Sequence, residues 1–133
     1  MQTHLSHLQF NVQGQNLSFY ADLFDFLGWG KIMASDDMLG VGGMDLSLWF
    51  IGYTKDVVND YDGPGLNHLA IGTSSIAEVD QAVVYLQEKG IAALFETPRH
   101  RPEFAMAPDQ TYYQVMFESP DKILFEIVYI GPK

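Results

Sequence analysis

The sequence contains no cysteine, which excludes disulfides and thiolate metal ligands, so any metal would be held by His, Asp or Glu. Basic residues are scarce: seven Lys and Arg stand against 17 Asp and Glu, for a net charge of −10. Such a balance repels phosphate backbones and anionic lipid headgroups, so neither nucleic acid nor a membrane surface is an expected partner. Long apolar runs are missing too, and none approaches the ~20 residues that a membrane-spanning helix needs. The first residues lack a basic stretch followed by an apolar one, so a secretory signal is not expected and a cytoplasmic location is. What the chain does have is 47% hydrophobic and 14% aromatic content over 133 residues. That suffices for a globular domain burying about two thirds of its unfolded surface.

One pattern occurs twice. His7-Leu8-Gln9-Phe10-Asn11-Val12 alternates with period two, and His68-Leu69-Ala70-Ile71-Gly72-Thr73 opens a similar stretch 61 residues later. Each is a strand headed by histidine. Leu17, Tyr20, Ala21, Phe24 and Leu27 then fall at helical spacing, with Asn16 as cap and Gly28 as stop. Val79, Val83 and Leu86 repeat the arrangement, with Ser74 or Ser75 as cap and Gly90 as stop. A hairpin around Asp36-Asp37 and a strand over 45–53 complete the first half. Strands over 91–96, 111–118 and 122–130, with a loop over 97–110, complete the second. The expected fold class is α+β: two tandem βαβββ modules, at 1–53 and 66–133, joined by a linker at 54–65 and forming one domain.

Glu126 is the sharpest chemical signal, because it interrupts the apolar run Ile123-Leu124-Phe125-Glu126-Ile127-Val128. A carboxylate in such a strand loses several kcal/mol of solvation unless a cation or good hydrogen bonds compensate it. By strand alternation, His7 and His68 lie opposite the apolar Phe10 and Ile71, and Glu126 lies opposite Phe125 and Ile127. His7, His68 and Glu126 are therefore the expected ligands of one divalent ion. Two histidines and a carboxylate leave half an octahedral shell open for a chelating substrate. The donor types suit Fe, Mn, Ni, Co or Zn. Arg99-His100-Arg101 is the one cationic cluster, and it suggests an anionic small-molecule substrate. Trp49, Phe104 and Tyr112 are candidates for pocket walls, with Arg99 and Arg101 as substrate contacts. Tyr113 and His100 are candidates for catalytic hydrogen bonding.

These residues resemble the vicinal oxygen chelate superfamily, which includes glyoxalase I, extradiol dioxygenases, fosfomycin-modifying transferases, methylmalonyl-CoA epimerase and bleomycin-binding proteins. The resemblance rests on His7, Phe19-Tyr20, Leu27-Gly28, Gly65-Leu66-Asn67-His68-Leu69-Ala70, and Phe117-Glu118-Ser119-Pro120-Asp121 ahead of Glu126. It implies a divalent-metal enzyme, pairing as a homodimer, with a site that is either split between two copies or contained within one. Two departures stand out. Lys122 replaces the glycine usual in the last hairpin, and Leu46-Ser47-Leu48-Trp49-Phe50-Ile51 lacks the Glu or Gln ligand that glyoxalase I carries in its first module. Three ligands therefore favour dioxygenase or Lewis-acid chemistry. The alternatives are a lactoylglutathione lyase-like isomerisation and metal-free drug or metabolite binding of the bleomycin-resistance kind.

Overall fold

The computed structural model describes residues 1–133, and the chain divides into two compact units, Met1–Val58 and Asn59–Lys133. The first unit runs β1 (His7–Asn11), α1 (Leu17–Phe26), β2 (Lys31–Ala34), β3 (Met38–Gly42) and β4 (Ser47–Ile51). The second runs β5 (Leu69–Thr73), α2 (Ile76–Glu88), β6 (Leu94–His100), β7 (Gln110–Glu118) and β8 (Leu124–Pro132). Both are βαβββ modules, as the repeat predicts. The strand orders β1-β4-β3-β2 and β5-β8-β7-β6 are the same arrangement used twice. In each, the histidine-headed strand pairs in parallel with the last strand of its unit. Neither helix is long and apolar enough to cross a membrane.

Apolar periodicity explains both cores. Helix α1 buries Leu17, Tyr20, Leu23 and Phe24. Tyr20 and Phe24 meet Phe50 of β4 at ring-centroid distances of 4.4 and 5.5 Å, and Phe10 of β1 stacks on Phe50 at 5.1 Å. In the second unit, α2 buries Val79, Ala82 and Leu86, while Phe117 and Phe125 stack at 5.6 Å across β7 and β8. Each buried Val, Leu or Phe among them contributes about 1.5–3 kcal/mol.

Two local expectations are corrected. Asn16 makes no side-chain cap: a single 3-10 turn over 14–16 leads into α1, and Asn16 already has near-helical backbone angles, φ −96° and ψ −2°. At α2 the cap forms as expected, with Ser75 Oγ accepting from Glu78 N at 3.3 Å and Glu78 Oε2 accepting from Ser74 N at 2.6 Å. The second correction concerns the 97–110 loop. β6 extends to His100, so Arg99 and His100 lie on a strand and not in a loop. Pro98 does not prevent this because β6 is an edge strand, where a missing N–H costs no ladder bond on the open side.

The turn joining β7 to β8 is pinned by Ser119, whose Oγ accepts from Asp121 N and Ile123 N at 3.2 and 3.1 Å. Lys122 itself adopts the left-handed conformation, φ 56°. That conformation costs a non-glycine residue about 1–2 kcal/mol, against ~0.5–1 kcal/mol of extra chain entropy for glycine. Lys122→Gly should therefore raise the thermal midpoint by roughly 2–4 °C in a calorimetric scan.

Candidate metal centre

Strand alternation builds the site. Along β7 and β8 the pairs Tyr113↔Tyr129, Val115↔Ile127 and Phe117↔Phe125 share one face. This is the helix face, since Tyr113 Oη donates to Asp80 Oδ1 of α2 at 2.8 Å. Glu126 points the other way, flanked by Ala70 and Met116, and is 1% exposed. Its Oε1 accepts from Tyr112 Oη at 2.6 Å. With the Gln114 amide turned so that its nitrogen faces Glu126, that nitrogen donates to Oε1 at 2.5 Å and the Gln114 oxygen accepts from Arg101 Nη1 at 3.3 Å. Glu126 Oε2 lies 3.0 Å from Nε2 of His68, the residue that precedes β5.

The surrounding bonds assign the His68 tautomer. Asn67 Nδ2 donates to Tyr61 O at 2.9 Å, which leaves Asn67 Oδ1 toward His68 Nδ1 at 2.7 Å. Nδ1 is therefore an N–H, and Nε2 faces Glu126 Oε2, where an unprotonated Nε2 would present its lone pair. Two lone pairs converging at this distance require a cation, either a proton on Nε2 or a metal ion. The donor chemistry fits a metal. Imidazole and carboxylate suit first-row divalent ions, His68 has the second-nitrogen anchor typical of a ligating histidine, and Oε1 is held by two donors that orient the carboxylate. Within either unit, no three His, Asp or Glu side chains gather. The second unit thus brings two candidate donors, His68 Nε2 and Glu126 Oε2, to one point.

A cup of about 260 Å³ opens over this pair, with Tyr112, Gln114, Arg101 and Phe104 in its wall. Arg101 lies 4.6 Å over the Phe104 ring, its Nε donates to Glu103 Oε1 at 2.5 Å, and Phe104 meets Tyr112 edge-on at 5.5 Å. The Arg101 bond holds the Glu103 carboxyl below its ordinary value. Burial, then the bond to Glu126, pushes the Tyr112 hydroxyl well above its ordinary value, so it remains a hydrogen-bond donor.

Of the residues singled out in the sequence, the structure brings together His68, Glu126, Tyr112, Arg101 and Phe104. It does not bring Tyr113, His100 or Arg99 to the cup. Tyr113 and His100 occupy the helix face, their rings 4.6 Å apart, because alternation turns them away from Glu126. Arg99 Nη1 pairs with Glu96 Oε2 at 3.3 Å. A larger hollow of about 750 Å³ has His100, Met106 and Lys133 in its wall, but no carboxylate side chain faces it. Sequence reading missed Gln114 and Met116. The signal was there, since 112, 114 and 116 share parity along β7 opposite the apolar 113, 115 and 117.

His7 and Trp49 belong to the first unit. His7 is exposed, with Nδ1 3.3 Å from Ser6 Oγ. Gln9, two residues after His7, pairs with Trp49, and Ala70, two residues after His68, pairs with Glu126. Trp49 therefore holds the position in the first repeat that Glu126 holds in the second. Its Nε1 donates to Ser47 Oγ at 3.0 Å. Its ring covers Gly40, where a Cβ would meet it at 2.6 Å.

The segment before His68 is fastened to the second unit. Asn59 Nδ2 donates to Lys122 O at 2.8 Å, and Tyr61 Oη donates to Glu118 Oε1 at 2.5 Å. That bond and burial push the Tyr61 pKa up to about 12, while burial and the bond to Asp80 do the same for Tyr113. A pKa raised in the folded state stabilises the fold fully below the unfolded value near 10, and the contribution is lost as pH climbs toward 12. Urea midpoints should therefore fall between pH 10 and 12, and Tyr61→Phe should make that fall shallower.

No family model matches the sequence, and no curated protein matches it. Solved structures do. One described as a glyoxalase from Bacillus halodurans has a TM-score of 0.79 and 28% identity, over 96% of both chains. A glyoxalase/dioxygenase from Nostoc punctiforme has a TM-score of 0.73 and 22% identity, over 97% of this chain and 91% of that one. The fosfomycin resistance protein FosX from Listeria monocytogenes, complexed with Mn(II) and sulfate, has a TM-score of 0.68 and 21% identity, over 100% and 93%. The chain has the glyoxalase/bleomycin resistance/dioxygenase fold along its whole length, and the family it resembles is the vicinal oxygen chelate superfamily.

Proposed function

We propose that the protein is a divalent-metal-dependent enzyme acting on a small chelating organic substrate, with His68 and Glu126 as two ligands of the ion and His7 as the third. The observation that carries this reading is the convergence of His68 Nε2 and Glu126 Oε2 at 3.0 Å, while Nδ1 and Oε1 are already bonded. His7 heads the first repeat as His68 heads the second, and either the same chain or a second copy in a homodimer would supply it. The Mn(II) held by the Listeria FosX supports an ion of this kind. When bound, the ion would polarise a substrate oxygen or acidify a bound water.

The residues of the chain have separable tasks. Tyr112 and Gln114 fix the Glu126 carboxylate, and Asn67 fixes the His68 ring. Arg101, joined to Glu126 through Gln114, places positive charge at the cup and offers Nη2, the nitrogen bonded to neither Glu103 nor Gln114, to a substrate anion. Trp49, where a second carboxylate would stand, offers no proton acceptor. Dioxygenase or Lewis-acid chemistry is therefore favoured over a lactoylglutathione lyase-like isomerisation.

The aromatic lining of the cup supports a second reading, metal-free binding of a drug or metabolite. Calorimetric titration of EDTA-treated protein with Mn(II), Zn(II) and Fe(II) decides between the two. About one ion per chain, lost in His68→Ala, supports the enzyme. Absence of binding by all three, with ligand stabilisation persisting in EDTA, supports the second reading.

A further inference from the structure

β6 carries a device that no sequence signal announced. Leu94 pairs with Met116 and Arg99 with Gln114, so β6 advances five residues while β7 advances two. Within this bulge, Phe95 and Glu96 both take the left-handed conformation, φ 56° and 61°. Phenylalanine gains nothing from that backbone, and side chains held so are a common mark of functional sites. The bulge is built and not frayed: buried Thr97 places Oγ1 where it accepts from Met116 N at 3.0 Å and donates to Leu94 O at 2.7 Å. Thr97 thus replaces ladder bonds that the extra residues remove.

The consequence is the direction of Phe95. Simple alternation after Leu94 would turn residue 95 to the helix face with Val115 and Phe117. Instead Phe95 and Met116 both line the cup over His68 and Glu126, and the Phe95 ring stays 50% exposed. A large apolar ring held half in water on a strained backbone contributes little to folding. Phe104 and Tyr112 line the same cup, with Arg101 against Phe104. The volume, about 260 Å³, is below the ~300–1,000 Å³ of sites for drug-sized ligands.

The geometry points to Phe95 as a specificity-determining wall that selects a flat, one-ring substrate bearing a single anionic group. The ring packs against the aromatic lining of Phe95, Phe104 and Tyr112, and the anion faces Arg101. This deepens the reading of the cup as the substrate site and rests on it.

Benzoate, cyclohexanecarboxylate and benzamide are the probes, titrated by NMR into EDTA-treated full-length protein, with Mn(II) binding measured separately. Benzoate should bind ~10-fold more tightly than either of the others, one lacking the flat ring and one the charge. Phe95→Gly should raise the thermal midpoint by relieving the backbone, weaken benzoate ~10-fold and leave Mn(II) affinity unchanged. Phe95→Ala should weaken benzoate equally without that gain in midpoint. Equal binding of the three probes, no benzoate binding, or wild-type benzoate affinity in both variants overturns the inference. Loss of Mn(II) binding by the wild type would instead refute the metal reading.

Discussion

Replacing Glu126 by Gln should abolish measurable divalent-metal binding while leaving the metal-free fold intact. The substitution is nearly isosteric, and the site offers partners to the amide oxygen and to one of its two N–H groups. The new amide oxygen would accept from Tyr112 and Gln114 as Oε1 of Glu126 does now, and the new NH₂ would donate to the His68 Nε2 lone pair, which the Asn67 contact leaves open. Removing a buried carboxylate also removes its desolvation cost, several kcal/mol for an uncompensated ion. The thermal midpoint in EDTA should hold or rise. Metal affinity should fall by more than ~100-fold, because losing mere partners of a ligand already costs 10–100-fold. A collapse in stability without metal would show that the Glu126 charge is compensated by the protein itself, and the metal assignment would fail with it. Tyr112→Phe tests the same network more gently, since it removes one donor to Oε1.

The largest loss of stability is expected from Phe50→Ala. Phe50 is fully buried and touches three aromatic rings, from Phe10, Tyr20 and Phe24, so it joins β1, β4 and α1 at one point. Truncating such a ring costs about 3–5 kcal/mol, the transfer term plus the cavity that rigid neighbours cannot fill. Against a typical total of about 5–15 kcal/mol, this is a large share. Urea unfolding should show a much lower midpoint with little change in slope. A shift under ~1 kcal/mol would mean that the three rings close over the gap, and that the stack packs loosely.

How much of this was readable beforehand follows from which interactions are local. The duplicated pattern, the helix stops at Gly28 and Gly90 and the hairpin at Asp36-Asp37 depend on neighbours in sequence, and all of them form. The isolation of Glu126 in an apolar run was visible for the same reason. The choice of Tyr112 over Tyr113 required only the parity of β7, and attention to Phe117 as core would have made it.

Other features had no local cause. Gln114 bridges Arg101 to Glu126 across three strands or strand ends, and Thr97 finds Met116 only because β6 folds back on β7. The strand character of Arg99 and His100 depends on β6 lying at an edge, where Pro98 is tolerated. Phe95 reaches the cup through two left-handed residues of types that rarely adopt that conformation, so nothing in their identity marks them.

Alternation and turn chemistry, written along the chain, determined the two modules and the faces of their strands. Which buried polar atoms meet, and which ring is forced into the cup, was decided by strand register. Register is a cooperative property of the whole sheet, set by packing among residues far apart in sequence, and no local stretch encodes it.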